Sequence, residues 1–122
     1  MFCECSEQNR DINYIICAET VLELKEKYHH IKLIGALPCL NQDEFWKEED
    51  KKRYKHILDK LDNIRCVYNK YIGKQCMIER NKYMVNNSSL IIALFCGKNG
   101  GTKQTLEYAK SKNLKIVYLK DF

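Results

Sequence analysis

Ser89–Thr102 reads S-L-I-I-A-L-F-C-G-K-N-G-G-T, and the fold follows from how this stretch is read. Leu90–Phe95 is an uninterrupted apolar run of one strand's length, the pattern of a strand covered on both faces in a parallel sheet. Gly100 and Gly101 then turn the chain, and Thr102 is placed to cap a helix running to Lys112. Strand, glycine turn and helix start together set backbone N–H groups and the positive end of a helix dipole at a strand's carboxyl end. Phosphate-bearing ligands bind at that edge of open α/β sheets. The stretch has no G-x-G-x-x-G and no Walker pattern, so a plain tight turn is the competing reading.

The same alternation extends outward from this stretch. Ala18, Val21, Leu22, Lys25 and Tyr28 recur at helical spacing and predict a helix from Ile12 to Tyr28. Ile31–Leu37 is a second buried-strand pattern, ended by Pro38, which lacks an N–H and holds Leu37 extended. Pro38–Phe45 is a loop at that strand's carboxyl end. A helix over Trp46–Leu61 follows, with Glu48, Glu49 and Asp50 complementing its dipole and Tyr54, Ile57, Leu58 and Leu61 as its apolar stripe. Ile64–Tyr68 reads as a short strand, Tyr71–Val85 as a helix and Leu114–Leu119 as the last strand. Strands alternating with helices predict one α/β domain over residues 1–122, a Rossmann-like, doubly wound, mostly parallel sheet with right-handed crossovers. The order opens on a helix, whereas such folds open on a strand. Residues 1–10 supply only a poor short strand for that place.

Composition removes several classes of function. No apolar run approaches the roughly 20 residues that span a bilayer, and the amino terminus has no basic-then-apolar signal, which points to a cytoplasmic protein with no membrane partner. The seven cysteines are scattered, odd in number and without a C-x-x-C pair, so neither zinc site, disulfide framework nor other metal centre is signalled. Cys17, Cys66, Cys76 and Cys96 sit in or beside apolar segments, where a thiol behaves as a small hydrophobe. The net charge of +5 is spread along helices among acids, without a block of like charges or basic–aromatic interleaving, which argues against a nucleic-acid partner.

Four ordered segments carry a family resemblance. R-N-K-Y-M-V-N-N-S-S-L-I-I-A-L-F (Arg80–Phe95) followed by G-G-T (Gly100–Thr102), with A-E-T-V-L-E-L-K (Ala18–Lys25) and A-L-P-C-L-N-Q (Ala36–Gln42), resembles the YpsA-like branch of the SLOG superfamily over about Ala18–Leu119. The resemblance implies a Rossmann-like domain that binds nucleotides or nucleotide-derived molecules. Some relatives are phosphoribohydrolases, some bind DNA and some sense signalling nucleotides in phage defence, so the fold does not fix the function. The family's opening strand, its T-G-H-R-like turn and a second glycine-rich turn with an aspartate have no counterpart here, and the chain reads as amino-terminally truncated. The hydrolase motif P-G-G-x-G-T-x-x-E is replaced by K-N-G-G-T-K-Q-T-L-E, which keeps Gly100, Gly101, Thr102 and Glu107 and lacks the proline and third glycine.

These readings define the candidate site. Gly100, Gly101 and Thr102 are phosphate or ribose contacts, and Arg80 is a phosphate clamp or an internal ion pair. Asn81 is a buried hydrogen-bonder, and Pro38, Asn41 and Gln42 stand on the strand-end loop. Glu107 is the one candidate catalytic acid, set against pairing with Lys103 or Lys110 at helical spacing. Phe45 and Trp46 pack in preference to stacking on a base, and Met84 is core. The reading favours non-catalytic binding of a nucleotide-derived signal, for sensing or for sequestration as a phage anti-defence sponge, with no cofactor. A protein-binding module that has lost its pocket and a phosphoribohydrolase remnant using Glu107 and Arg80 are the alternatives. With the central strand missing, sheet edges are left open, and a homodimer or higher homo-oligomer completing the cleft is expected.

Overall fold

Every strand pairing is parallel, as alternation of strands with helices requires. The computed structural model describes residues 3–4, 10–94, 97 and 99–119, with side chains for all of these except 3–4, 10–14 and 94. The elements run β1 (Cys3–Glu4), α1 (Arg10–Lys27), β2 (Ile34–Cys39), α2 (Glu48–Lys60), β3 (Asn63–Tyr68), α3 (Lys74–Asn86), β4 (Leu90–Leu94), α4 (Gly101–Ser111) and β5 (Lys115–Leu119). The α/β, Rossmann-like class read from the sequence is the one observed.

The sheet is nevertheless divided. β1, β4 and β5 hydrogen-bond in that order, and β2 and β3 form a separate pair. β4 pairs along its full length with β5, from Leu90 opposite Lys115 to Leu94 opposite Leu119. On its other side only Ile92 and Ala93 have strand partners among the described residues, Cys3 and Glu4 of β1. A single doubly wound sheet was the expectation; two small sheets form instead, with no pairing between β2 and β4 across the seam that divides them. The described elements open on the two-residue strand β1, which takes the place beside β4 that residues 1–10 were expected to fill poorly.

Other expectations are corrected by local chemistry. Pro38 does not end its strand: Cys39 still pairs with Tyr68, and Pro38 itself drops out of the register between Leu37 opposite Cys66 and that pair. A residue without an N–H is tolerated because β2 is an edge strand, bonded to β3 alone. Thr102 is not the cap of α4, since Gly100 takes the N-cap position and α4 begins at Gly101. Trp46 lies ahead of α2, which begins at Glu48 with Glu48, Glu49 and Asp50 in its first turn as expected. Cys66 is exposed, its Sγ 3.0 Å from the Tyr68 carbonyl oxygen, whereas Cys39 and Cys76 are the buried thiols. Burial, with Cys76 nearby, pushes the Cys39 thiol up, so it stays protonated as a small hydrophobe. Phe95 and Cys96 lie outside the described residues.

The main core joins β4 to α3 and α4. Ile91 and Ala93 pack with Val85, Leu106 and Ala109, and Met84, Tyr108, Leu114 and Ile116 close around them. On the other half, Gly35 lets α2 close onto β2: a Cβ there would lie 2.6 Å from Leu61 Cδ1.

Two ion pairs fasten α1 to this second half. The Arg53 fork of α2 donates to Glu19 of α1 from Nε at 3.0 Å and from Nη2 at 2.9 Å. Asp62, at the mouth of β3, accepts Lys25 Nζ at 2.6 Å and the Leu33 N–H at 2.8 Å. The Arg53 hydrogen bond holds the Glu19 carboxyl below its ordinary range, and Lys25, then Leu33, do the same for Asp62. Both carboxyls are depressed on folding, so their contribution is complete above an unfolded value of about 4 and is lost as pH falls through the folded values. The melting temperature is therefore expected to be nearly flat between about pH 7 and 5 and to fall below about pH 4. In Asp62→Asn that acid decline is expected to be shallower. Melting curves from circular dichroism across this range check it, and acid limbs that superimpose for the two proteins would contradict it.

Candidate functional site

The buried end of α3 organises what lies around it. Arg80 and Asn81 are adjacent on α3, and Arg80 Nε donates to Asn81 Oδ1 at 2.7 Å. Asn81 Nδ2 donates to Thr105 Oγ1 of α4 at 3.1 Å, and that hydroxyl donates to the Gly101 carbonyl at 2.8 Å. Arg80, Asn81 and Thr105 are only 6%, 9% and 5% exposed. A buried relay of this kind is costly to break, because each lost bond leaves a desolvated polar atom. It fixes the first turn of α4 against α3.

That junction opens into a groove of about 330 Å³ between α3 and α4. Gly100, Gly101 and Gln104 form one wall, Lys74 and Lys82 stand on the other, and Tyr108 lies farther along α4. Among the described residues, two lysines and no carboxylate line it. Gly100 reaches the helix start with φ 153° and ψ −166°, backbone space that glycine alone adopts without strain. The first turn of α4 adds N–H groups that have no acceptor within the helix. The groove is thus electropositive at the helix start and suits an anion there.

The residues singled out from the sequence fall in two places. Gly100, Gly101 and Asn81 line the groove, and Thr102 stands in the first turn of α4 beside it. Arg80 and Gln42 line instead a cavity of about 170 Å³ between β2 and the helices α1, α2 and α3. Ile15 and Val21 of α1 and Met84 of α3 face that one cavity, together with the β2 stretch from Ile34 to Leu37. Met84 is thus only partly buried, packing on the core and bordering the cavity. Gln42 donates its amide to Tyr54 Oη at 2.6 Å, and burial raises the Tyr54 hydroxyl above its ordinary range despite that bond. Pro38 is fully buried in β2. Asn41 braces two loops, its Oδ1 accepting the Tyr71 N–H at 3.1 Å and its Nδ2 donating to Glu44 at 3.2 Å.

Glu107 is exposed on α4 and is not among the groove-lining residues. Neither expected lysine pair forms: Lys103 Nζ bonds Asn99 Oδ1 at 3.0 Å. Trp46 packs on Tyr54 with ring centroids 5.0 Å apart, but Phe45 does not pack at all and is 93% exposed. Sequence reasoning missed Lys74, Lys82, Gln104 and Tyr108 as groove residues. The available signal was two lysines eight residues apart on one helix, obscured by the many other lysines of this chain. Among the described residues no group of three or more His, Cys, Asp or Glu is placed to hold a metal ion, and no helix is long and apolar enough to cross a membrane.

The parallel pairings, the helices packed on them and the glycine turn at the carboxyl end of β4 define a Rossmann-like α/β protein. Within that class the chain belongs to the YspA SLOG family (YpsA), whose family model matches residues 13–120. It is 40% identical over 96 residues to a UPF0398 protein of Brevibacillus brevis, covering 78% of this chain and 51% of that one. The SPbeta prophage-derived protein YoqJ of Bacillus subtilis is 36% identical over 102 residues, covering 75% and 60%. A UPF0398 protein of Halalkalibacterium halodurans is 31% identical over 103 residues, covering 83% and 54%. The chain thus spans between about half and three-fifths of the length of these relatives.

Proposed function

We propose that this protein binds a nucleotide-derived, phosphate-bearing small molecule in the α3–α4 groove, without turning it over. One observation carries the reading: among the described residues, the groove joins the first turn of α4 to two lysines and is lined by no carboxylate. Gly100 and Gly101 receive the phosphate, and the relay from Arg80 through Asn81 and Thr105 holds the turn in shape. Binding is preferred to hydrolysis because Glu107 faces solvent instead of the groove, and a general acid must reach the bond it protonates. Sensing and sequestration both fit such a binder, and the second is in keeping with a prophage-derived relative.

A thermal-shift screen against nucleoside monophosphates, ADP-ribose variants and cyclic dinucleotides tests it. A ligand at one hundred times its Kd stabilises by about 2.7 kcal/mol, which raises Tm by roughly 5–15 °C in a domain of this size. A panel in which no member moves Tm would contradict the reading.

The divided sheet supports a proposal about assembly as well. Among the described residues, the seam side of β2 has no strand partner and that of β4 has only Cys3 and Glu4. Unpaired backbone groups are costly when buried and sticky when exposed. The protein is proposed to form a two-fold homodimer in which the second copy covers the seam.

A further inference from the structure

We infer that the groove takes a ligand with anionic groups at two places, separated by a sugar-sized spacer, as in a nucleoside bisphosphate. The inference rests on the binding reading above and names the class of ligand. Lys74 is the first residue of α3 and Lys82 stands eight residues on, which at 1.5 Å per residue separates their Cα atoms by about 12 Å along the helix. One phosphate is too small to occupy both ends unless both side chains fold to the middle.

The contacts keep those ends apart. Asn81 meets Thr105, and Lys82 meets Tyr108, so α3 and α4 run side by side in the same direction. Lys74 is accordingly at the Gly100–Gly101 end. Lys82 is at the far end, its Nζ 5.9 Å from the Tyr108 ring centroid. Tyr108 is itself fixed, its hydroxyl donating to Asn86 Oδ1 at 2.8 Å. Tyr108 stands seven positions on from Gly101, which places the second positive position about 10 Å from the helix start, close to the spacing read from α3. Neither lysine has an acidic partner among the described residues, and Gln104 lies between as a neutral hydrogen-bonding side chain. Two positive positions with a neutral polar middle match a phosphate–sugar–phosphate pattern.

Calorimetric titration of the full chain with AMP, ADP and adenosine 3′,5′-bisphosphate tests this. ADP is the control that adds charge at one end only. The bisphosphate is expected to bind about fivefold tighter than AMP and tighter than ADP, the worth of one exposed charge pair. Lys82→Gln is expected to weaken the bisphosphate more than AMP and so to bring their affinity ratio down to about one. AMP binding with no gain for the bisphosphate over ADP, or a gain that survives Lys82→Gln, would overturn the inference and leave the binding reading standing. If none of the three bound, the inference would fall, and the binding reading would be decided by the wider panel.

Discussion

Gly100→Ala is expected to abolish ligand binding in the groove and to lower stability by about 1–3 kcal/mol. The residue sits at φ 153° and ψ −166°, where a Cβ clashes with its own backbone. An alanine there must relax toward ordinary backbone angles, and the first turn of α4 then moves. That turn is tied to α3 through Gly101, Thr105 and Asn81, so relaxation also pulls on a buried relay. Binding is lost because the N–H groups of the helix start no longer converge, and stability is lost through strain. Urea melts and calorimetric titration of the variant separate the two effects. Wild-type stability together with wild-type affinity would show that the turn is an ordinary one.

The second large effect concerns mass. If the seam is covered by a second copy, light scattering at micromolar concentration is expected to give twice the 14.5 kDa of one chain. The reasoning is one of unsatisfied backbone. β2 offers its whole seam edge, and β4 has strand partners there at Ile92 and Ala93 alone among the described residues. A clean monomer mass across that concentration range would refute the dimer.

Much of the fold was legible because hydrophobic period and turn chemistry agree locally. The run Leu90–Leu94, the buried pattern before Pro38 and the acids at the start of α2 all reported their elements to within a few residues. Pro38 misled because its effect depends on strand position: the lost N–H ends a central strand but is tolerated on an edge. The division of the sheet was only half legible. A missing central strand could be inferred, with residues 1–10 as its poor short substitute, and Cys3 and Glu4 do pair with β4 in parallel, whereas the break between β2 and β4 was not foreseen.

The candidate site was legible in its parts and not in its grouping. Adjacent residues on a helix diverge, and Arg80 and Asn81 do line different spaces, yet their side chains bond to one another. Gln42 and Arg80 line one cavity because α1, α2 and α3 converge on β2, a tertiary fact that no local pattern carries. Lys74, Lys82 and Tyr108 become a site only once α3 and α4 are known to run in parallel.

The central claim is that a phosphate-bearing ligand sits at the start of α4. The most direct measurement follows backbone amides by two-dimensional NMR during titration with AMP and adenosine 3′,5′-bisphosphate. The account predicts saturable shifts largest at Gly100, Gly101 and Gln104, reaching Lys82 and Tyr108 with the bisphosphate. Shifts confined to the seam around Ile34–Leu37, or no shifts with either ligand, would contradict it.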